Sequence, residues 1–370
     1  LFKPHPREAH PMSERTIIPF GPQHPVLPEP IHLDLVVEDE HVVEAIPSFG
    51  FIHRGLEKLV EKKDFNEFTY VAERVCGICS YIHGMGYCQA IETVMNIQLP
   101  PRANYLRTFW SELSRAHSHL LWAGLLADSF GFENLFMQCW RIRETLLDVV
   151  EETTGGRVIF GAAKIGGVRR DVDNDTLKRC AVKIAAASVE FEELKKVFRD
   201  DYSVKERLCG IGILSKENAW HLGAVGPTLR GSGISTDTRL EGYAAYGDLN
   251  ISPVVETACD SYARCMVRMH ELTQSFELMQ EIVARMPDGP VFEKPKGYPN
   301  GEHFARLEQP RGEVIYYVKG NGTKNLSRFR VRTPTFANIP PLLHMLQGCE
   351  LADVGLIVLT IDPCISCAER

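Results

Sequence analysis

Two cysteine pairs carry the most definite chemistry in this sequence, Cys76-Gly77-Ile78-Cys79 and Cys364-Ile365-Ser366-Cys367. A C-x-x-C spacing brings two sulfurs close enough to share one metal. Four thiolates together suit zinc, iron–sulfur chemistry or another soft transition metal. On spacing alone a closed structural zinc site is one reading. Against it, the inner cysteines, 79 and 364, stand 285 positions apart, whereas zinc ribbons close loops of a few tens of residues. One centre here would stitch the two ends of a large fold together. The remaining cysteines, Cys88, Cys139, Cys180, Cys209, Cys259, Cys265 and Cys349, have no such spacing and read mostly as small core hydrophobes.

The elements that must position these pairs belong to a chain of 370 residues, 44% hydrophobic and 24% charged. That is enough to bury a sizeable core without disulfides. The 11 cysteines are odd in number and irregular in spacing, and no secretory signal is evident, so a reducing, cytoplasmic setting is expected. Lysine and arginine are scattered and the net charge is −7, which argues against a nucleic-acid footprint. No apolar run reaches the ~18–20 residues of a membrane span. The best candidate, Val354 to Ile361, reads as a buried strand. Residues 1–11 read as a non-native leader before Met12.

Alternation and β-branched residues from Ile31 to Ile46 predict a hairpin that turns at Glu38-Asp39-Glu40. Apolar residues at three- and four-residue spacing predict helices over Arg102 to Asp128, Phe132 to Glu152, Thr176 to Arg199 and Val254 to Met286. Gly155 to Val168 and Gly223 to Gly233 are glycine-rich and read as ordered loops near a site or a partner. A strand pair follows, Phe304 to Leu307 and Val314 to Val318, broken at Pro310-Arg311-Gly312. A short helix from Pro340 to Leu346 then leads into the final strand. The expected fold class is α-rich α+β, a long-helix bundle with small β regions at both ends. It forms one domain over 12–370: an N-terminal β region (12–75), a helical bundle (76–290), and a C-terminal β region with the second cysteine pair (291–370).

The flanks of the pairs narrow the chemistry. Arg74-Val75-Cys76-Gly77-Ile78-Cys79 runs into Ser80-Tyr81-Ile82-His83, and the second pair reads Asp362-Pro363-Cys364-Ile365-Ser366-Cys367-Ala368-Glu369-Arg370. These motifs, in this order, resemble the two signatures of nickel–iron hydrogenase large subunits. Arg54-Gly55-Leu56-Glu57 and Glu308-Gln309-Pro310-Arg311-Gly312 add to the resemblance. Gly21-Pro22-Gln23-His24-Pro25 and Glu112 to Trp122 resemble the energy-converting, membrane-bound, ferredoxin-linked subgroup. They also resemble the related quinone-site subunit of respiratory complex I, which lacks the four cysteines.

The resemblance implies that all four sulfurs bind nickel, with Cys76 and Cys364 terminal and Cys79 and Cys367 also bridging to an iron that carries carbon monoxide and cyanide. Hydrogen is nonpolar and a very weak acid, so it must be polarised on a metal, and a terminal thiolate, Cys364, is the expected proton acceptor. Arg311 is expected over the metal pair as proton acceptor or electrostatic clamp. Asp362 is expected to orient it, and His83 to hydrogen-bond the sulfur of Cys79. Glu29, pinned between Pro28 and Pro30, matches the subgroup's relay glutamate. Glu57 matches a glutamate that binds a magnesium-type ion in many relatives. Those relatives supply a histidine where this chain has Arg370, a departure that tells against the ion. Thr333-Pro334-Thr335 resembles a segment lining the cluster.

With no second cysteine set for an electron relay, a small subunit carrying a [4Fe–4S] cluster is implied as partner. Ferredoxin is the implied outer partner, with membrane subunits coupling the reaction to ion pumping and the chain lying peripherally on the cytoplasmic face of the cell membrane. A quinone-site subunit without catalysis is the rival expectation.

Overall fold

From Arg102 to Ala127 nearly every side chain, polar or apolar, is buried, the mark of a helix enclosed on all sides. This Pro101–Ser129 helix is the axis of the computed structural model, which describes residues 15–370; the leader reading for residues 1–11 lies outside them. Pro101 suits the first turn, where its missing amide removes no helical hydrogen bond. Around the axis pack the Ser80–Val94, Glu133–Thr154, Ser261–Ala284 and Val354–Thr360 helices, and Asn174–Asp200 lies against two of them. The four long helices expected from periodicity are all present. The fourth begins at Ser261 rather than Val254, because Cys259 is left-handed and the Asp260 carboxylate caps the Ala263 amide.

Strands β1 (Thr16–Phe20), β2 (His32–Glu38) and β3 (His41–Ser48) form an antiparallel sheet in that order. The expected hairpin is β2–β3, with Asp39 and Glu40 at φ 49° and 64°, the paired left-handed geometry of a two-residue turn. Leu33, Leu35 and Val37 face inward. Their core is shared with Ile339, Leu342, Leu346 and Ile357, so the two ends of the chain pack on each other. Short strands β4 (Ala163–Lys164) and β5 (Gly167–Val168) order the first glycine-rich loop. Strands β6 (Asn300–Gln309), β7 (Gly312–Asn321) and β8 (Arg328–Arg332) form a second sheet. The expected strand pair is β6–β7, and β8 adds a third strand.

One element is a correction: Val354–Thr360 is a helix, not a strand. A short apolar run fits either. Here it is buried between the axis helix and the Ile339–Leu346 helix with no strand alongside among the described residues, and only a helix satisfies its own backbone there. Its Leu359 carbonyl accepts from Trp122 Nε1 at 2.7 Å.

Candidate metal centre

Each cysteine pair sits where a short connection enters a helix. Cys79 precedes the Ser80–Val94 helix and Cys364 precedes Ile365–Glu369. Cys76 Sγ accepts the amides of Ile78 and Cys79 at 3.2 and 3.3 Å. Asp362, at φ 56°, turns the chain sharply out of the Val354–Thr360 helix. Thr335 Oγ1 accepts the Cys364 amide at 3.1 Å, and Thr333 Oγ1 donates to the Cys367 carbonyl at 3.2 Å, so that threonine segment does line the site.

The four sulfurs converge. Cys76 and Cys364 are 3.4 Å apart, Cys79 and Cys367 3.6 Å, and Cys364 and Cys367 3.2 Å. All are free thiols and fully buried. Thiolates around one tetrahedral metal at ~2.3 Å would stand roughly 3.8 Å apart, close to this spacing. Charge makes the same point. Burial raises the Cys76 thiol, but hydrogen bonds from Cys364, Cys367 and Cys79 and the Arg311 charge together hold it well below its ordinary value. Cys79 and Cys367 are pushed well above theirs, chiefly by burial. Burial and the closeness of the sulfurs oppose ionising all four together, and a multivalent soft cation is what would let them do so. The residues fit such a metal.

Arg311 sits in the two-residue turn between β6 and β7, where Gln309 pairs with Gly312. The turn rests on Gly226, whose Cβ, had it one, would lie 2.3 Å from Gly312 Cα. That close backbone approach explains the glycine of the second glycine-rich loop. The buried guanidinium donates to the Asp362 carbonyl and carboxylate, both at 2.8 Å, and to Ser118 Oγ at 3.3 Å. Its charge faces Cys364, Cys79 and Cys76. Asp362 thus holds Arg311, as expected.

His83 is a correction in detail. Its Nε2 lies 3.3 Å from the sulfur of Cys367, not Cys79; the turn at Cys79 leaves its own sulfur facing across to the second pair. Tyr316 Oη lies 2.5 Å from His83 Nδ1, and Gln309 Nε2 3.1 Å from His83 Nε2. Burial lowers His83 to about 4 and raises Tyr316 well above its ordinary value. Both are therefore neutral, and the neutral ring has one N–H: with it on Nε2 the ring donates to Cys367, and with it on Nδ1 the ring donates to Tyr316 and Nε2 accepts from Gln309 Nε2.

Glu29 reaches the second pair without touching a sulfur in any hydrogen bond. Its carboxylate accepts the amides of Ile365 and Ser366, the latter at 3.0 Å, and the Ser366 hydroxyl at 2.5 Å. It therefore caps the turn between Cys364 and Cys367, close enough for its charge to bear on Cys364.

Glu57 does not fit a magnesium-type site. Its oxygens accept from Arg370 Nε at 2.9 Å, from Arg330, and from the Val331 amide at 2.9 Å, so guanidinium groups fill the place of a cation. Three contributors escaped sequence reasoning: Tyr316, Gln309 and Arg54. Arg54 donates to the carbonyls of Arg74 and Val75, each at 2.8 Å, and of Ser366 at 2.9 Å, tying the two cysteine loops together. Its place in the Arg54-Gly55-Leu56-Glu57 match was the available signal. Among the other cysteines, Cys88, Cys139, Cys180 and Cys265 are buried as expected, whereas Cys209 is exposed and Cys259 and Cys349 are partly so. His24 stacks on Phe20 and His119 pairs with Glu271 at 3.1 Å.

A helix-enclosed axis thus carries four cysteines that converge from distant parts of the chain. Comparison with known proteins supplies the class. The model for the 49 Kd subunit of respiratory-chain NADH dehydrogenase matches residues 129–298 and 292–370, and that for nickel-dependent hydrogenase matches residues 54–126. The carbon monoxide-induced hydrogenase of Rhodospirillum rubrum is 38% identical, over 97% of this chain and 100% of its own length. The membrane-bound hydrogenase subunit alpha of Pyrococcus furiosus is 36% identical, over 95% of this chain and 87% of its own. A chain of the membrane-bound sulfane sulfur reductase, an archaeal respiratory membrane complex, superposes with a TM-score of 0.91 at 29% identity, covering 96% of this chain and 98% of that one. The chain belongs to the family of nickel–iron hydrogenase large subunits and complex I 49-kDa subunits. Among the described residues no helix is long and apolar enough to cross a membrane.

Proposed function

We propose that this chain holds a nickel–iron centre on Cys76, Cys79, Cys364 and Cys367 and catalyses reversible hydrogen oxidation and proton reduction. The observation that carries the reading is the convergence of four buried sulfurs beside Arg311. The facing of Cys76 to Cys364 and of Cys79 to Cys367 matches an arrangement with one terminal and one bridging thiolate from each pair. Bound there, the centre, with carbon monoxide and cyanide on its iron, supplies a redox-active Lewis acid that polarises hydrogen.

The chain's own residues then manage charge. Oxidation of one hydrogen molecule releases two protons and two electrons. The Cys364 thiolate takes a proton, and Glu29, held at the same turn by Ile365 and Ser366, passes it outward. Arg311, fixed by Asp362, keeps a permanent positive charge against the sulfurs. Neutral His83, 3.3 Å from the Cys367 sulfur, orients it. Electrons leave through a small partner subunit with a [4Fe–4S] cluster toward ferredoxin, and membrane subunits of the complex couple the transfer to ion pumping. The chain lies peripherally on the cytoplasmic face of the membrane.

The rival in the same family, a quinone-site subunit, needs no metal on these cysteines. Metal analysis with infrared spectroscopy separates the two. Nickel at one per chain, with carbonyl and cyanide bands from an iron outside the iron–sulfur clusters, supports the proposal. A purified complex with full electron-transfer activity and no nickel sinks it, and zinc alone would return the cysteines to a structural role.

A further inference from the structure

Around Glu57 the structure departs from what the family resemblance implies. The oxygens gathered there are the Glu57 carboxylate, with its side chain 13% exposed, and the main-chain carbonyls of Ala368 and Cys367. Oxygen donors of this kind suit a hard divalent cation. They are instead addressed by one guanidinium. Arg370 Nε donates to Glu57 at 2.9 Å, and its Nη1 donates to the Ala368 carbonyl at 2.8 Å and lies 3.5 Å from that of Cys367. Arg330 closes the other carboxylate oxygen. Hydrogen bonds from Val331, Arg330 and Arg370 together overcome the effect of burial and keep Glu57 below its ordinary value.

The same segment is fastened on its other side. The Glu369 carboxylate accepts the amides of Gly50 and Ile52, each at 2.6 Å, and its carbonyl lies 2.5 Å from His53 Nδ1. The Leu56 amide donates to the Arg370 carbonyl at 3.3 Å. The turn that carries Cys367 is therefore docked on the loop at residues 50–57 by a fixed charge at one edge and a buried carboxylate at the other.

We propose that the Arg370 guanidinium is the resident cation of this position. The chain supplies its own charge where many relatives are implied to bind a divalent ion, and Arg370 is thereby a positioning residue for Cys367. A guanidinium has a permanent charge and a planar fork, so docking of the second cysteine pair here is independent of free magnesium, manganese or calcium. The inference bears on the nickel–iron reading only through Cys367.

The test uses the purified native complex and two variants, Arg370→Ala and Arg370→His. The wild type should contain none of those three ions in stoichiometric amount, and its unfolding temperature should not move when magnesium is added or a chelator is present. Arg370→Ala should release nickel to a chelator about 10- to 100-fold faster, the range for loss of a group supporting a metal ligand. Arg370→His, which places a neutral nitrogen ligand beside Glu57, should recover slow release only when magnesium or manganese is added. Stoichiometric divalent ion at Glu57 in the wild type overturns the proposal, as does wild-type nickel retention in Arg370→Ala. If Arg370→Ala does not accumulate, Glu57→Gln takes its place, and unchanged retention there counts equally against the proposal. A wild type without nickel defeats the nickel–iron reading alone, because the latch is then scored by divalent content and by unfolding temperature in the same variants.

Discussion

Two regions of this molecule bury charge-bearing groups completely, and they balance charge in opposite ways. Beside the axis helix, Glu112, Arg115, His119, Arg230, Asp237, Arg239, Glu271 and Glu308 form one ionic seam. Arg230 reaches Glu271 at 2.7 Å and Glu308 at 2.9 Å, and Arg239 reaches Asp237 at 2.8 Å and Glu112 at 3.3 Å. Burial opposes ionisation of Glu271, yet the Arg230 charge and the His119 hydrogen bond hold it well below the usual carboxylate range. Three arginines face three carboxylates held low, Glu112, Asp237 and Glu271, while the fourth, Glu308, shares Arg230 with Glu271 and is pushed above its ordinary value, chiefly by burial. At the cysteine centre the fixed cation set against the sulfurs is Arg311, already committed to Asp362, and it faces a quartet of buried cysteines. The seam is self-sufficient and the centre is not. Balance, rather than the amount of buried charge, marks the candidate cofactor site.

The comparison is broken most directly at the sulfurs. Cys367→Ser should abolish hydrogen uptake and lose nickel, read by metal analysis, while leaving the seam and the overall fold intact by circular dichroism. A variant that keeps its full nickel complement shows that the quartet does not depend on an imported cation. Glu29→Gln comes next. Turnover with ferredoxin or a dye should drop by about 10²–10⁴-fold, while nickel, iron and the infrared bands persist. Para-/ortho-hydrogen conversion, which needs access to the metals but no proton export, should survive. Normal turnover would transfer the relay to another group.

Arg311→Lys keeps the charge beside the sulfurs and loses the fork that Asp362 grips. Activity should fall about 10²–10³-fold with metal retained, and unchanged turnover would remove Arg311 from the mechanism. In the seam, Arg230→Met should lower stability by ~3–5 kcal/mol, the cost of stranding buried carboxylates, with no change in nickel per folded chain. Thermal unfolding reads this, and an unmoved transition would show that the seam is not holding the fold.

The smallest effect belongs to Glu73, a buried carboxylate that makes no ion pair among the described residues. Burial raises it from 4.5 to about 7, against the charges of Arg169 and Arg74. Between those values the folded chain holds a proton that the unfolded chain releases, so this group's contribution to stability is present at low pH and lost as pH rises through about 7. Glu73→Gln should therefore stabilise the protein above pH 7, by at most about 3 kcal/mol, with the gain fading toward pH 4.5. A gain that is flat with pH would assign the effect to packing.

Much of the frame was legible in the sequence because it is written in local periodicity. The axis helix, the three other long helices, the β2–β3 hairpin with its Asp39-Glu40 turn and the Pro310-Arg311 break each depend on residues a few positions apart. The candidate metal ligands were legible for another reason, since a C-x-x-C spacing in two flanking motifs is a chemical statement that survives without coordinates. Where local signals are ambiguous the reading failed. Val354–Thr360 is equally apolar on every face, and only its burial without a neighbouring strand makes it a helix.

What tertiary structure alone decided are the contacts between distant segments. That His83 meets Cys367, 284 positions away, rather than Cys79 follows from how the two cysteine turns face each other. Tyr316 and Gln309 reach His83 because β6 and β7 cross beneath the Ser80–Val94 helix. Arg370 comes to Glu57 because the last turn docks on the loop after β3. The amino-acid sequence by itself determined which atoms can bind metal and which stretches form helices, since both depend on residue type and near neighbours. Which partner each side chain serves depends on packing across hundreds of positions, and no spacing rule encodes that.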